Sequence, residues 1–279
     1  SIGAAPVPRE SVARAAKVLL GCLLVVPVVY LMLSQAKIVG YLLLLLFVAL
    51  AAYFLLRGAG GDRVQLHRYI AMLLLFLAKI LFWGMFEQAG SSLNFFARDY
   101  VDAPFDFTLF QSANPVFILL MAPLFAWLWP KLDARGLNPS IPRKFAIALL
   151  LVALGFTTLV FSIHNLQNEA GQVAWTLLAL AYLINTMGEL CLSPIGLSMV
   201  TKLAAPKDTG MAMGAWFLCT AIGNYAAGAI AAVASGGSAA SGITQYAATY
   251  TQIAIGGAVM GLVFLLFAPQ INRLMHGVK

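Results

Sequence analysis

Three ionisable side chains sit inside long apolar runs of this chain. Glu87 and Lys79 lie in or beside the run Ala71–Gly90, and Glu189 lies in Val173–Val200. In a bilayer-spanning helix an ionised side chain costs at least about 2.5–3.5 kcal/mol. Such a group is retained where it faces a polar cavity, a partner or a proton path. Desolvation favours a neutral carboxyl and a nearby cation favours the carboxylate. A carboxyl balanced between the two can change protonation when its partner moves, which is the physical basis for coupling proton movement to solute movement. A carboxylate in a wet cavity also attracts a substrate amine.

Residues four apart on a helix drift only about 40° around its axis, so they share a face. Lys79, Trp83, Glu87 and Ser91 make one such row, and Asn185, Glu189 and Ser193 a second. Trp216, Thr220 and Asn224 make a third, and Gln111 and Asn114, three apart, are also neighbours. These rows predict four helices lining a polar cavity, with two more behind them. Tryptophan supplies broad apolar contact and a cation–π face, and asparagine a donor and an acceptor. Together with a carboxylate they suit a small zwitterion with variable side chains. Blander roles exist for several members. Trp216 alone reads as a packing or interfacial tryptophan, and Asn224 as an interhelical hydrogen-bonding residue. Ser193 and Asn114 each precede a proline, where local backbone bonding is enough to explain them. Gly210 and Gly214 form a GxxxG pair, the spacing for close helix packing. The charged residues resist such readings. Lys79 and Glu87 are separated by about 12 Å of helical rise, so each is expected to meet a partner on another helix or a ligand.

The elements that must position these residues follow from composition. Of 279 residues, 62% are hydrophobic and 10% charged, against about 25% charged in soluble domains. Mean hydropathy is +0.90. The chain is therefore an all-α membrane protein; strands of a transmembrane barrel would run about 10 residues with alternating pattern. Eight stretches approach the roughly 20 apolar residues a spanning helix needs: 15–34, 38–56, 69–92, 107–130, 144–163, 172–200, 209–233 and 249–269. The first two are almost wholly apolar and predict a lipid-facing hairpin, within residues 1–57. A Gly- and Arg-containing linker covers 58–68, and a six-helix bundle covers 69–279. The chain opens at Ser1 on a polar stretch, which reads as an internal start.

The net charge of +7 is a topology signal. With successive loops assigned to alternate sides, one side collects Arg9, Arg14, Lys17, Arg57, Arg63, Arg68, Lys131, Arg135, Arg143, Lys144, Lys202, Lys207, Arg273 and Lys279. The other holds Lys37 and Arg98 with Asp99, Asp102, Asp106 and Glu169. This is the positive-inside bias, so both termini are predicted cytoplasmic and no nucleic-acid partner is implied. Cys22, Cys191 and Cys219 read as buried free thiols inside spans. His67, His164 and His276 fall on predicted loops and the tail, and no metal-ligand spacing is present. A membrane-embedded enzyme would need a nucleophile–base set or metal ligands, and no histidine lies in a predicted span.

Four segments carry a family resemblance. FWGMFEQAGSSLNFFA at 82–97 resembles the seventh helix of the proton-dependent oligopeptide transporter (POT/PTR) family, and FQSANPVFILLMAPLFAWLW at 110–129 its eighth. GELCLSPIGLSMVTKLAAP at 188–206 is similar to the tenth helix and GAWFLCTAIGNYAAG at 214–228 to the eleventh. The resemblance implies a major facilitator C-terminal six-helix bundle, preceded by the extra two-helix hairpin of bacterial members. It implies proton-coupled symport of di- and tripeptides across the inner membrane, with the proton as coupling ion and no cofactor. By position, Glu189 and Asn114 would hold the peptide amino terminus, Trp83 and Trp216 would border the side-chain pocket, and Thr220 would face it. Glu87 would couple protons and gate the outer side by pairing with an arginine of the first helix. Lys79 is grouped with Glu87 without a family role. The partner that the resemblance implies is a six-helix N-terminal half, without which the chain is not expected to transport. The alternatives are a symporter of another small solute on the same scaffold, which the two acids require not to be a simple anion, and a non-transporting structural module. The latter would tolerate neutralisation of both glutamates.

Overall fold

The computed structural model describes residues 12–235 and 242–278. Arg9, Lys279, the opening tail and most of the external loop expected at Ser235–Ser241 lie outside the described residues. Two compact units divide the chain, the first ending at Leu45 and the second beginning at Leu46. The first contains α1, Val12–Ser34, and the start of α2, Ala36–Ala59. Leu19, Leu23, Leu24, Leu42 and Leu45 all face outward, as apolar side chains do where lipid is the solvent. Cys22 is exposed there as well, unlike the buried Cys191 and Cys219.

The second unit is helical, with one short strand pair. It continues through α2 to α3, Arg63–Phe86; a 3-10 turn at Glu87–Gly90; α4, Ser92–Tyr100; and β1, Val101–Asp102. A 3-10 turn at Phe107–Ser112 leads into α5, Ala113–Asp133, followed by α6, Ile141–Asn165. Then come β2, Val173–Ala174; α7, Trp175–Leu203; α8, Thr209–Ala234; and α9, Ile243–Leu274. Among the described residues seven helices are long and apolar enough to cross a membrane, and α1 shows a shorter apolar stretch, Ala16–Met32. The linker expected over 58–68 shrinks to a turn at Gly60–Asp62, because Asp62 accepts from the Val64 amide (3.2 Å) and starts α3 at once. His67 therefore stands on a helix, and its Nδ1 lies 2.9 Å from Nε2 of His276 with the rings stacked.

Packing follows side-chain size. The most extensive helix contact is between α6 and α9, followed by α6 with α7 and α3 with α8. At Gly261 of α9 a Cβ would fall 2.7 Å from the Leu150 side chain of α6, and at Gly257 it would fall 3.1 Å from the Ala153 Cβ. Glycine lets these backbones approach where lipid offers no hydrophobic drive between helices. The GxxxG pair does not act this way: Gly210 and Gly214 both face open space. Helix α5 is the outlier, touching the bundle mainly along α7.

The two ends of the bundle differ in charge, as the loop assignment predicts. At one end gather the N-terminus of α3 and the C-terminus of α7, joined by Gln65 Nε2 donating to the Leu203 carbonyl (2.9 Å). At the same end Asp208 is buried and accepts from Tyr69 (2.6 Å) and Tyr53 (3.0 Å), with Arg57 Nε at 3.8 Å. Removing the acceptor leaves a buried phenol unpaired, at about 1–3 kcal/mol. Asp208→Ala should therefore lower the melting temperature of the purified protein by several degrees; an unchanged melt would deny Asp208 this role. The opposite end carries Arg98, Asp99, Asp102 and Asp106 and the parallel strand pair, Val101 with Val173 and Asp102 with Ala174.

Candidate functional site

The seven residues singled out from sequence divide into two groups in space. The first is centred on Glu189. Asn114, at the start of α5, donates from Nδ2 to Glu189 Oε2 of α7 at 2.8 Å and to Thr186 Oγ1 at 3.2 Å. The Thr186 hydroxyl in turn donates to the Tyr182 carbonyl one turn back (2.7 Å). Thr186 was not legible as a site residue by the four-residue rows, although its spacing of three from Glu189 puts it on the same face. Asn114, Glu189, Trp83 and Thr220 are all half-buried. A half-buried carboxylate and a half-buried amide meet here over the buried Thr186 hydroxyl.

Glu87 belongs to the same group. It is the C-cap residue of α3, where the helix tightens into the 3-10 turn, and it lies inside the apolar span Arg63–Tyr100 as expected. The break is held by Gln88, which is fully buried. Its Nε2 donates to the Gly84 carbonyl and to the Ala227 carbonyl of α8, both at 3.1 Å, and its Oε1 accepts from Ser92 Oγ at 2.7 Å. Ser91 Oγ donates to the Glu87 carbonyl (3.0 Å), so the row still meets at its end. The Glu87 carboxylate itself has no hydrogen bond or ion pair among the described residues, and it lies within Coulombic reach of Glu189. Gln88 is the second residue that sequence reasoning passed over. Its signal was an amide next to an acid in an apolar run.

Gln111 Nε2 and the Tyr182 hydroxyl both donate to the Ala89 carbonyl, at 3.0 and 3.3 Å. They tie the 3-10 turn after Glu87 to α7 and to the turn before α5. The two carboxylates are thus fixed on connected elements.

The second group joins α3 to α8. Lys79 is 2% exposed, and its Nζ donates to the Trp216 carbonyl (2.7 Å) while lying 3.5 Å from the centroid of the Trp216 ring. Trp216 is itself 4% exposed. Its indole fills a slot over Gly196 of α7, where any Cβ would collide with the ring, and Phe76 and Phe145 flank it. Trp216 is therefore a core residue, not one bordering an open pocket. Lys79 finds the interhelical partner it was expected to need, in a carbonyl and a ring rather than a carboxylate. Trp83, one turn after Lys79, packs against Phe82 and Phe86 and over Gly223, and its buried indole N–H has no partner. Among the described residues Thr220 makes no side-chain hydrogen bond, Asn224 is exposed, and Asn185 turns away toward Gly155 of α6. Ser193 Oγ is buried without a partner, so it does not satisfy a carbonyl at Pro194.

The segments that carry these groups also carry the match to known proteins. The profile of the POT family covers residues 60–253. The chain belongs to the POT family. The peptide transporter YePEPT of Yersinia enterocolitica is 34% identical over 238 residues, which cover 83% of this chain and 46% of that protein. Dipeptide and tripeptide permease A of Edwardsiella piscicida is 34% identical over 228 residues, 78% of this chain and 45% of the permease. A crystal structure of a variant of the peptide transporter POT in complex with alafosfalin superposes with a TM-score of 0.78 at 32% identity, covering 97% of this chain and 55% of that one. The chain thus spans about half the length of the relatives it matches. This POT-family chain is an integral membrane protein whose fold matches about half of a solved POT transporter.

Proposed function

We propose that this chain forms the C-terminal half of a proton-coupled symporter of di- and tripeptides in a bacterial inner membrane, with the basic end of its bundle in the cytoplasm. The observation that carries the reading is the bond from Asn114 to Glu189. A carboxylate and an amide so joined offer an ammonium group a charge-assisted hydrogen bond and a second acceptor. Family membership and the peptide transporters and permeases among the relatives support peptide as the substrate class. Charge asymmetry between the two ends supports the orientation. Trp83, half-buried and one turn before Glu87 on α3, is the aromatic that remains for the side-chain pocket. Lys79 and Trp216 hold α3 to α8.

Alternating access needs two walls that move against each other around the site, and one six-helix bundle supplies one wall. In proteoliposomes the 279-residue chain alone should show no pH-gradient-driven uptake of dialanine. Reconstituted with the N-terminal half of a POT relative, it should. Robust uptake by the chain alone, or none by the pair when the pair assembles, would contradict the proposal.

A further inference from the structure

A groove of about 480 Å³ runs along the basic end of the bundle, between α5 and α7. Ala122, Phe125 and Ala126 line it from α5, and Leu190, Pro194 and Ile195 from α7. Neither Glu87 nor Glu189 lines it, and it ends at Lys144, on the first turn of α6, with Ser198 and Lys202 at its rim. Lys144 is only 6% exposed. Its Nζ lies 4.2 Å from the centroid of the Trp129 ring, and it has no hydrogen bond or ion pair among the described residues. The nearby carboxylate, Asp133, accepts instead from Asn138 Nδ2 at 3.1 Å.

An ammonium carries three donors, and a buried charge is kept only where it is paired. Among the described residues no anion is bonded to Lys144, and Asp133, which lines the adjoining cavity, is taken up by Asn138. A second, polar cavity of about 420 Å³ adjoins the first and shares Ile141 and Lys144 with it. Arg143, Ser140 and Asn138 open onto it. The side-chain oxygen of Asn138 is buried with no donor, so the missing group must also bring a hydroxyl or amine. An apolar groove, a buried cation at its end and an unmet acceptor beyond describe, in order, an acyl chain, a phosphate and a hydroxylated headgroup.

We propose that these two cavities hold one anionic phospholipid of the phosphatidylglycerol type, with an acyl chain in the groove, its phosphate on Lys144 and a headgroup hydroxyl donating to Asn138. Lys202 and Arg143 contribute field at the rim. The bound lipid fixes α5, which otherwise touches little but α7, to the start of α6.

The test is native mass spectrometry of the full chain in micelles, titrated separately with dioleoyl-phosphatidylglycerol and dioleoyl-phosphatidylcholine. One phosphatidylglycerol per chain should be retained, with a preference over phosphatidylcholine of about tenfold or more, the worth of one charged hydrogen bond. Lys144→Gln should erase the preference. Should that variant fold poorly, Ala126→Phe, on an exposed position of the groove, should weaken retention of the same lipid by blocking its chain. Equal retention of the two lipids, or an unchanged preference in both variants, overturns the proposal. Displacement by millimolar inorganic phosphate would make this a free-anion site and overturn the lipid. No lipid retained above background would leave the groove to a covering polypeptide and overturn it as well.

Discussion

Glu189→Gln should weaken peptide binding by roughly ten- to a hundredfold, measured by competition in the chain paired with an N-terminal half from a POT relative. The size follows from the worth of a hydrogen bond to a charged group, about 1.5–3 kcal/mol. Folding should survive, because glutamine keeps the volume and its amide oxygen can still accept from Asn114 Nδ2, now at 2.8 Å from the carboxylate. Asn114→Ala should lose less, since Thr186 keeps its own acceptor at Tyr182. Unchanged peptide affinity in Glu189→Gln would remove Glu189 from the site. A variant that bound as well and melted higher would favour the structural-module alternative.

Glu87→Gln should abolish proton-driven accumulation while leaving downhill peptide exchange. Among the carboxylates that face the site, Glu87 is the one with no hydrogen bond or ion pair among the described residues, and its position beside the Gln88-locked break holds it within reach of the Glu189 charge. A carboxyl with no committed partner can take a proton and release it at little structural cost. Glutamine is permanently neutral and fixes the protonated form, so a pH gradient has nothing to act on. Each pH unit is worth 1.36 kcal/mol per proton, or about tenfold accumulation, and that factor is what the variant should lose. Accumulation that still follows the imposed gradient would assign coupling to another group.

Much of this arrangement was legible in the chain. The meeting of Glu189 with Asn114 was implied by family resemblance, and the helices that carry them were visible as apolar runs with polar residues at helical spacing. What the rows could not show was which way each helix turns its face. Trp216 and Asn185 share rows with site residues, yet each points into a glycine-made slot on another helix, over Gly196 and Gly155. That choice depends on a distant residue, not on local period. The break at Glu87 was hidden for a similar reason: a side-chain amide replaces backbone bonds there, and its acceptor at Ala227 lies 139 positions away. Lys79 was legible as a residue needing a partner, but a carbonyl acceptor leaves no trace in side-chain types. The short α4 and the β1–β2 pair are set by tertiary contact at one end of the bundle, where composition gives little periodicity to read. Asp208 was one acid in a loop until the phenols of two other helices closed on it.

The central claim is that the Glu189–Asn114 pair receives the amino terminus of a peptide. The most direct measurement is inhibition of dialanine uptake by two competitors that differ only at that end, free trialanine and N-acetyl-trialanine, with the chain paired as above. The account predicts that acetylation, which removes the charge and two of the donors, weakens inhibition by at least about tenfold, and that Glu189→Gln narrows this gap. Equal inhibition by the two peptides, with or without Glu189, would contradict it.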